Sequence, residues 1–140
     1  SAELAQRILS REGWKQARID TVRHCIQTHR YRDPNNSPQT VEARVVFDAD
    51  KLDAIGAMGA ARAIAYAIKG GQPIYAHPSS LFLQTGNREA GEPYSAYHEY
   101  LFKLVRIHKR LCTPSGRAMA EARQRRMVDF FEGLVLEAEE

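Results

Sequence analysis

Three aspartates in an otherwise apolar stretch are the residues of this sequence with the clearest potential for chemistry. Asp48, Asp50 and Asp53 stand among valine, phenylalanine, alanine, leucine and isoleucine within residues 40–62. No proline interrupts this stretch, so its pattern predicts a helix on which Asp50 and Asp53 lie one turn apart. A carboxylate on so apolar a helix needs a cation, a metal ion or several hydrogen-bond donors. Two interpretations stay open: the aspartates cap or pair with neighbouring groups, or one of them binds a metal.

His29 is the second candidate for chemistry. The predicted helix over about residues 15–30 places Ile19, Val22, Ile26 and His29 on one stripe, so His29 continues the core face. A histidine in such a position is more often a core residue with satisfied hydrogen bonds than a functional one. A single short loop, however, joins this helix to the helix that carries the aspartates. We therefore expect the side chains of His29 and Asp50 to face a common cavity.

The remaining pattern predicts an all-α bundle of about five helices. Helical periodicity recurs over residues 2–12, 15–30, 40–62 with the small-residue run that follows, 96–112, and from 114 to the end. Residues 70–94 break this pattern with glycines and prolines, yet they also carry large apolar side chains. Such a segment predicts a long irregular loop that packs onto the domain like a lid. The chain as a whole, residues 1–140, is expected to be a single domain.

Composition and charge favour a soluble, cytoplasmic protein. Hydrophobic residues make up 44% and charged residues 26% of the chain, and no apolar run approaches the length of about 18 residues that a membrane span needs. Cys25 and Cys112 match no metal-binding spacing and are expected to be reduced thiols. The net charge of +3 comes with scattered arginines, which is compatible with a phosphate-bearing ligand but gives only weak support to nucleic acid as a partner. The P-loop, hydrolase-elbow, zincin and zinc-finger motifs are all absent from the sequence.

Residues 26–62 carry a more specific pattern. Ile26, His29 and Arg32 form an I-x-x-H-x-x-R segment, and residues 38–43 read P-x-T-x-E-A. A D-A-D-x-L-D-A-x-G-A-x-G run follows over residues 48–59. This stretch resembles the C-terminal half of the HD-domain superfamily of metal-dependent phosphohydrolases, and in particular its YpgQ/YedJ-like bacterial branch. Residues 95–131 are similar to the last helices of that family more loosely, so the resemblance spans most of the chain.

The resemblance implies an HD-like helical bundle in which a metal-activated water attacks a nucleotide or another small phosphate ester. In the family, a divalent metal ion is held by a His, a His-Asp pair and a final Asp, and the final Asp corresponds to Asp50. His29 and Asp53 are then the implied catalytic residues, Asp53 by bracing the site. The phosphates of the substrate would be bound by three basic neighbours, Arg32, Lys51 and Arg62.

One departure from the family pattern limits what the resemblance implies. The sequence contains five histidines but no His-Asp dipeptide, so the first His and the HD pair are expected upstream of residue 1. The chain is therefore expected to be a truncated family member that keeps only the final Asp of the ligand set. Such a chain should bind the metal incompletely or not at all and should not be a competent hydrolase alone.

Two other functions stay open on the sequence. A degenerate or truncated HD domain can serve as an interaction or regulatory module, and a basic helical domain can bind nucleic acid. The absence of N-terminal helices would also uncover apolar faces, namely residues 4–8, 19–26 and 56–67. Because soluble proteins rarely leave such patches in water, we expect a partner chain, a homo-oligomer or an exchanged helix to cover them.

Overall fold

Helices are the regular elements of the computed structural model, which describes residues 1–30 and 36–140. No β-strand occurs in these residues, which confirms the predicted all-α class. The α-helices are α1 (Ala2–Arg11), α2 (Gln16–Thr28), α3 (Val41–Asp53), α4 (Gly56–Lys69), α5 (Ser80–Thr85), α6 (Ala96–Glu99), α7 (Val105–Ile107) and α8 (Pro114–Glu139). A π-helical turn (Tyr100–Leu104) joins α6 to α7, and a 3-10 turn (His108–Arg110) follows α7.

Two segments differ from what the periodicity predicts. The helix expected over residues 40–62 is interrupted after Asp53, and α4 begins at Gly56. Gly56 has a φ of +78°, a left-handed conformation that residues other than glycine rarely adopt. Apolar periodicity does not reveal this break, because the residues on both sides of it keep a helical pattern. Residues 70–94 contain the short helix α5 and are therefore less irregular than expected.

Residues 70–94 pack onto the domain, as their apolar side chains predict. The carbonyls of Pro73 and Ile74 accept hydrogen bonds, each of 3.2 Å, from N–H groups at the start of α6. Phe82 of α5 is buried. The Tyr75 hydroxyl donates a hydrogen bond of 2.5 Å to Glu139 near the end of α8, and this bond raises the pKa of Tyr75 to about 12. The segment is thus fastened at several points, and its role as a lid stays a prediction.

The core lies between α4, α8 and the helical run that begins at residue 96. Small side chains on the facing helices, among them Ala60, Ala63 and Ala120, are buried and let α4 and α8 approach closely. The rings of Tyr100 and Phe131 stack with their centroids 4.3 Å apart, and Phe131 is fully buried. The π-helical turn thus contributes its first residue to the centre of the core.

A buried carboxylate joins α3 to the start of α8. Asp48 is 3% exposed, and it accepts hydrogen bonds from the N–H groups of Cys112 (2.7 Å) and Thr113 (2.8 Å) and from the Thr113 hydroxyl (2.6 Å). Thr113 is the N-cap of α8, and its Oγ1 accepts a hydrogen bond from the Gly116 N–H. The carboxylate therefore lies where the dipole of α8 favours a negative charge. A Cβ at position 116 would lie 2.3 Å from Asp48 Oδ2, so glycine is required for this close approach.

The apolar faces that the sequence predicts to be uncovered differ in exposure. Leu4 and Ile8 of α1 are 52% and 50% exposed, and Met58 of α4 is 66% exposed. Ile19 of α2 is buried, so the face of α2 is covered at that residue. A covering partner or second copy stays a prediction.

Within the described residues, no helix combines the length and the apolar character that crossing a membrane requires.

The substitution Asp48→Asn tests the connection between α3 and α8. An amide offers one acceptor oxygen and turns its NH2 group toward groups that also donate, so at least one buried donor loses its partner. We expect the free energy of unfolding to fall by about 2–4 kcal/mol, as measured by urea denaturation. Asp129→Asn, at an exposed position of α8, is the matched control. A loss below about 0.5 kcal/mol for the Asp48 variant would show that the connection contributes little.

Candidate functional site

The three aspartates of α3 have three different environments. Asp48 is buried against α8, whereas the side chains of Asp50 and Asp53 are 53% and 65% exposed. Successive helical residues are rotated by about 100°, so Asp50 lies about 200° round the helix from Asp48. Anchoring Asp48 against α8 therefore turns Asp50 toward the opposite side of α3. Asp48 fits the capping interpretation, and Asp50 and Asp53 are accessible to a ligand.

A buried lysine lies beside Asp50. Lys51 is 2% exposed, and its Nζ donates to Asp50 Oδ2 at 2.6 Å and to the His29 carbonyl at 2.8 Å. The same Nζ lies 4.5 Å from the centre of the Phe47 ring, within the range of a cation–π contact. These contacts offset the desolvation of a buried ammonium, which is strongly unfavourable without partners. The ammonium that the resemblance assigns to phosphate is thus already bonded to two protein oxygens.

The Lys51 ammonium also brings the end of α2 close to Asp50, because the His29 carbonyl and the Asp50 carboxylate accept from the same group. The His29 Nδ1 lies 2.6 Å from the Ile26 carbonyl. Since a carbonyl can only accept, Nδ1 carries the proton, and Nε2 of the neutral ring has the free lone pair. The approach of the His29 ring to the Asp50 carboxylate stays a prediction. Arg32, another predicted phosphate-binding residue, lies outside the described residues.

Asp53 and Arg62 form an ion pair that links the end of α3 to α4. Arg62 Nη1 donates to the Asp53 carboxylate and, at 3.3 Å, to the Asp53 carbonyl. The pair is largely exposed, so its contribution to stability is small. Because a guanidinium has several N–H donors, engagement of one nitrogen leaves others for a second anion. The ion pair therefore orients Arg62 without using all of its binding capacity.

Arg62 also lines a cleft of about 500 Å³. One wall belongs to α4, with Arg62 and Tyr66, and the other includes Tyr94, Glu99 and Lys103. The volume lies within the range of about 300–1,000 Å³ that is usual for small-molecule sites. No sequence pattern points to Tyr94, because it lies at the end of the glycine-rich and proline-rich segment and joins the cleft only through folding. Glu99 and Lys103 show only the i, i+4 spacing of an ordinary helical ion pair.

Glu99 is held at the cleft by hydrogen bonds to both of its oxygens. The Tyr94 hydroxyl donates to Oε2 at 2.6 Å, and Lys103 Nζ donates to Oε1 at 2.7 Å. Burial raises the pKa of Tyr94, and the hydrogen bond to Glu99 raises it further, so this hydroxyl remains a donor at neutral pH. The Glu99 side chain is 28% exposed and thus remains accessible from the cleft.

A buried network supports the cleft wall. His98 is fully buried, with Nε2 3.0 Å from Glu92 Oε1 and Nδ1 2.7 Å from Ser95 Oγ. Glu92 also accepts hydrogen bonds from the Ser79 N–H and hydroxyl, each of 2.7 Å. Serine, histidine and carboxylate are the residue types of a hydrolase triad. Ser95, however, is 1% exposed, and its Oγ caps α6 by accepting the His98 N–H. The network therefore anchors the preceding loop to α6.

The described residues do not form a metal site by themselves. Among residues 1–30 and 36–140, no three His, Cys, Asp or Glu side chains converge in a way that could hold a metal ion. Asp50 offers one exposed carboxylate, which is paired with Lys51. A divalent ion at Asp50 would need further ligands from outside these residues.

Comparison with known proteins relates the chain to bacterial proteins of similar sequence and fold. No family model matches the chain. The chain is 34% identical over 118 residues to the uncharacterized protein YpgQ of Bacillus subtilis (strain 168), a match that covers 82% of this chain and 50% of YpgQ. The chain therefore spans about half the length of this curated relative.

Solved structures share the fold over nearly the whole chain. The crystal structure of Bacillus subtilis YpgQ in complex with ADP matches with a TM-score of 0.72 and 31% identity, and the match covers 98% of this chain and 61% of that one. A crystal structure of an HD-superfamily hydrolase from Bacillus thuringiensis matches with a TM-score of 0.70 and 25% identity, over 99% of this chain and 62% of that one. These similarities confirm the predicted HD-domain-like helical fold.

The substitution Glu92→Gln tests the network that supports the cleft wall. Burial raises the pKa of Glu92, but hydrogen bonds from Ser79, His98 and Glu89 outweigh it and lower the pKa from 4.5 to about 2. The ionised carboxylate therefore stabilises the fold fully above about pH 4.5, and this contribution is lost as the pH falls toward about 2. We expect the variant to be less stable than the wild type at neutral pH, and the difference in melting temperature to shrink across that acidic range. Glu121→Gln, at an exposed position of α8, is the control. A difference that is independent of pH would contradict this role of Glu92.

Proposed function

The chain is a YpgQ-like HD-domain protein, and from this premise we propose that it acts on a nucleotide or another small phosphate ester as a metal-dependent phosphohydrolase. Support comes from the HD-superfamily hydrolase that shares its fold and from YpgQ, which has been crystallised in complex with ADP. Because the chain spans about half the length of YpgQ, the activity of the whole protein is part of the proposal.

The cleft beside the Asp53–Arg62 pair is the observation that carries the proposal. Its lining includes two cations, Arg62 and Lys103, and one carboxylate, Glu99. Asp53, which accepts from one nitrogen of Arg62, is not part of the lining, so Arg62 adds a positive charge to the α4 wall of the cleft. Hydrogen bonds between a guanidinium and phosphate oxygens are short, charge-assisted and often bidentate. We therefore assign the phosphates of the ligand to Arg62 and the bracing of Arg62 to Asp53.

Asp50 is the residue that we assign to the metal ion. Its exposed carboxylate is held by the buried Lys51 ammonium, which fixes its position and reduces its conformational freedom. Lys51 then acts through Asp50 rather than by touching a phosphate. His29, with a free lone pair on Nε2 in the neutral ring, is the proposed proton acceptor or further ligand at the end of α2. The described residues alone do not complete a hydrolytic site.

A second candidate function is an interaction or regulatory module. The exposed side chains of Leu4, Ile8 and Met58 favour it, because apolar patches on soluble proteins often mark contacts with another chain. An interaction module does not require the cleft to bind a ligand. Nucleotide binding therefore distinguishes the two candidates.

The substitution Arg62→Gln tests the proposed phosphate site. Loss of the charge-assisted hydrogen bonds should raise the Kd for ADP and for inorganic pyrophosphate about tenfold or more, as measured by isothermal titration calorimetry. Arg7→Gln, at an exposed position of α1, should leave both affinities unchanged. The proposal is wrong if the wild-type chain binds neither compound, or if the Arg62 variant binds both as tightly as the wild type.

A further inference from the structure

The wall of the cleft that carries Glu99 differs in charge from the α4 wall that carries Arg62. Glu99 belongs to the cleft lining and lies beside its own cation, Lys103, at 2.7 Å. A phosphate at Lys103 would therefore meet the Glu99 carboxylate as well. On the α4 wall, Arg62 lines the cleft and its partner Asp53 does not. The two walls are thus suited to different parts of one ligand.

The hydrogen bonds already made by Glu99 leave it with acceptor capacity. From the described residues, each carboxylate oxygen accepts one hydrogen bond, from Tyr94 or from Lys103. A carboxylate oxygen has a second lone pair, so both oxygens can accept from a further donor. Two adjacent acceptors at fixed positions match the two neighbouring hydroxyls of a ribose, and a carboxylate is the group by which many dinucleotide-binding folds hold a ribose hydroxyl.

An aromatic side chain opens onto the same cleft. Tyr66 of α4 lines the cleft and is 69% exposed, so its ring is free to contact a ligand. Exposed aromatic rings can stack with any nucleobase, because every base has a π-face. The cleft thus offers a cation for phosphate, a carboxylate for hydroxyls and an aromatic face for a base.

We propose that Glu99 determines specificity for the sugar, by accepting hydrogen bonds from the 2′- and 3′-hydroxyls of a ribonucleoside phosphate whose phosphates lie at Arg62. This assignment rests on the proposed function of the cleft. Tyr94 and Lys103 are positioning residues, because they bind Glu99 and fix the direction of its carboxylate. The ligand class is therefore a ribonucleoside phosphate rather than a simple phosphate ester.

The test compares three probes on the 140-residue chain: ADP, 2′,3′-dideoxy-ADP and inorganic pyrophosphate. The wild type should bind ADP about tenfold more tightly than the dideoxy compound. Glu99→Ala should abolish this preference by weakening ADP binding alone, with the Kd for pyrophosphate unchanged. Glu121→Ala, at an exposed position of α8, should leave all three affinities as in the wild type.

A second variant keeps the test valid if Glu99→Ala does not fold. Tyr94→Phe preserves the ring that packs near Phe82 and removes only the hydroxyl that orients Glu99. It should weaken ADP binding in the same direction but less strongly, again without an effect on pyrophosphate.

The outcomes separate this inference from the proposed function. If the wild type binds ADP and dideoxy-ADP equally, or if Glu99→Ala weakens pyrophosphate as much as ADP, the assignment of Glu99 to the sugar is wrong while the phosphate site stands. If the wild type binds none of the three probes, the proposed function fails and the sugar site fails with it.

Discussion

The burial of one carboxylate determines how α3 is presented to the rest of the molecule. Asp48 accepts three hydrogen bonds from the two residues that immediately precede α8, and a glycine at position 116 makes room for it. A buried carboxylate is tolerated only with such a set of donors, so α3 cannot rotate about its axis without breaking them. The orientation of α3 that these hydrogen bonds maintain leaves Asp50 and Asp53 exposed and places the end of α3 beside α4. The geometry of the candidate site therefore follows from a contact that takes no part in its chemistry.

The site itself is assembled from polar groups that satisfy one another before any ligand arrives. Lys51 joins the end of α2 to Asp50, and the Asp53–Arg62 pair joins α3 to α4 across the break before Gly56. On the opposite wall, the buried His98 network anchors the loop that precedes α6. The two ion pairs reduce the freedom of Asp50, Asp53 and Arg62, which would otherwise be flexible surface charges. Such preorganisation lowers the entropy cost of binding a small ligand.

The sequence predicted those features whose signal is local. The apolar periodicity predicted an all-helical chain, and the D-A-D-x-L-D run indicated the family and the helix that carries the acids. It did not predict the partners of Asp48, because these are mainly backbone N–H groups 64 and 65 residues away, which every sequence contains. Lys51 resembles any exposed cation until the fold brings the His29 carbonyl and the Phe47 ring around it. The cleft, likewise, is formed by α4 and residues 94–104 and has no motif of its own.

The central claim is that the cleft between α4 and residues 94–104 binds a nucleotide. The most direct measurement is a titration of the isotope-labelled chain with ADP, followed by the backbone amide shifts in nuclear magnetic resonance spectra. Binding in the cleft should produce saturable shift changes that cluster around Arg62, Tyr66 and Glu99, with the amides of α1 unchanged. Changes concentrated in α1, or no saturable change at any amide, would contradict it.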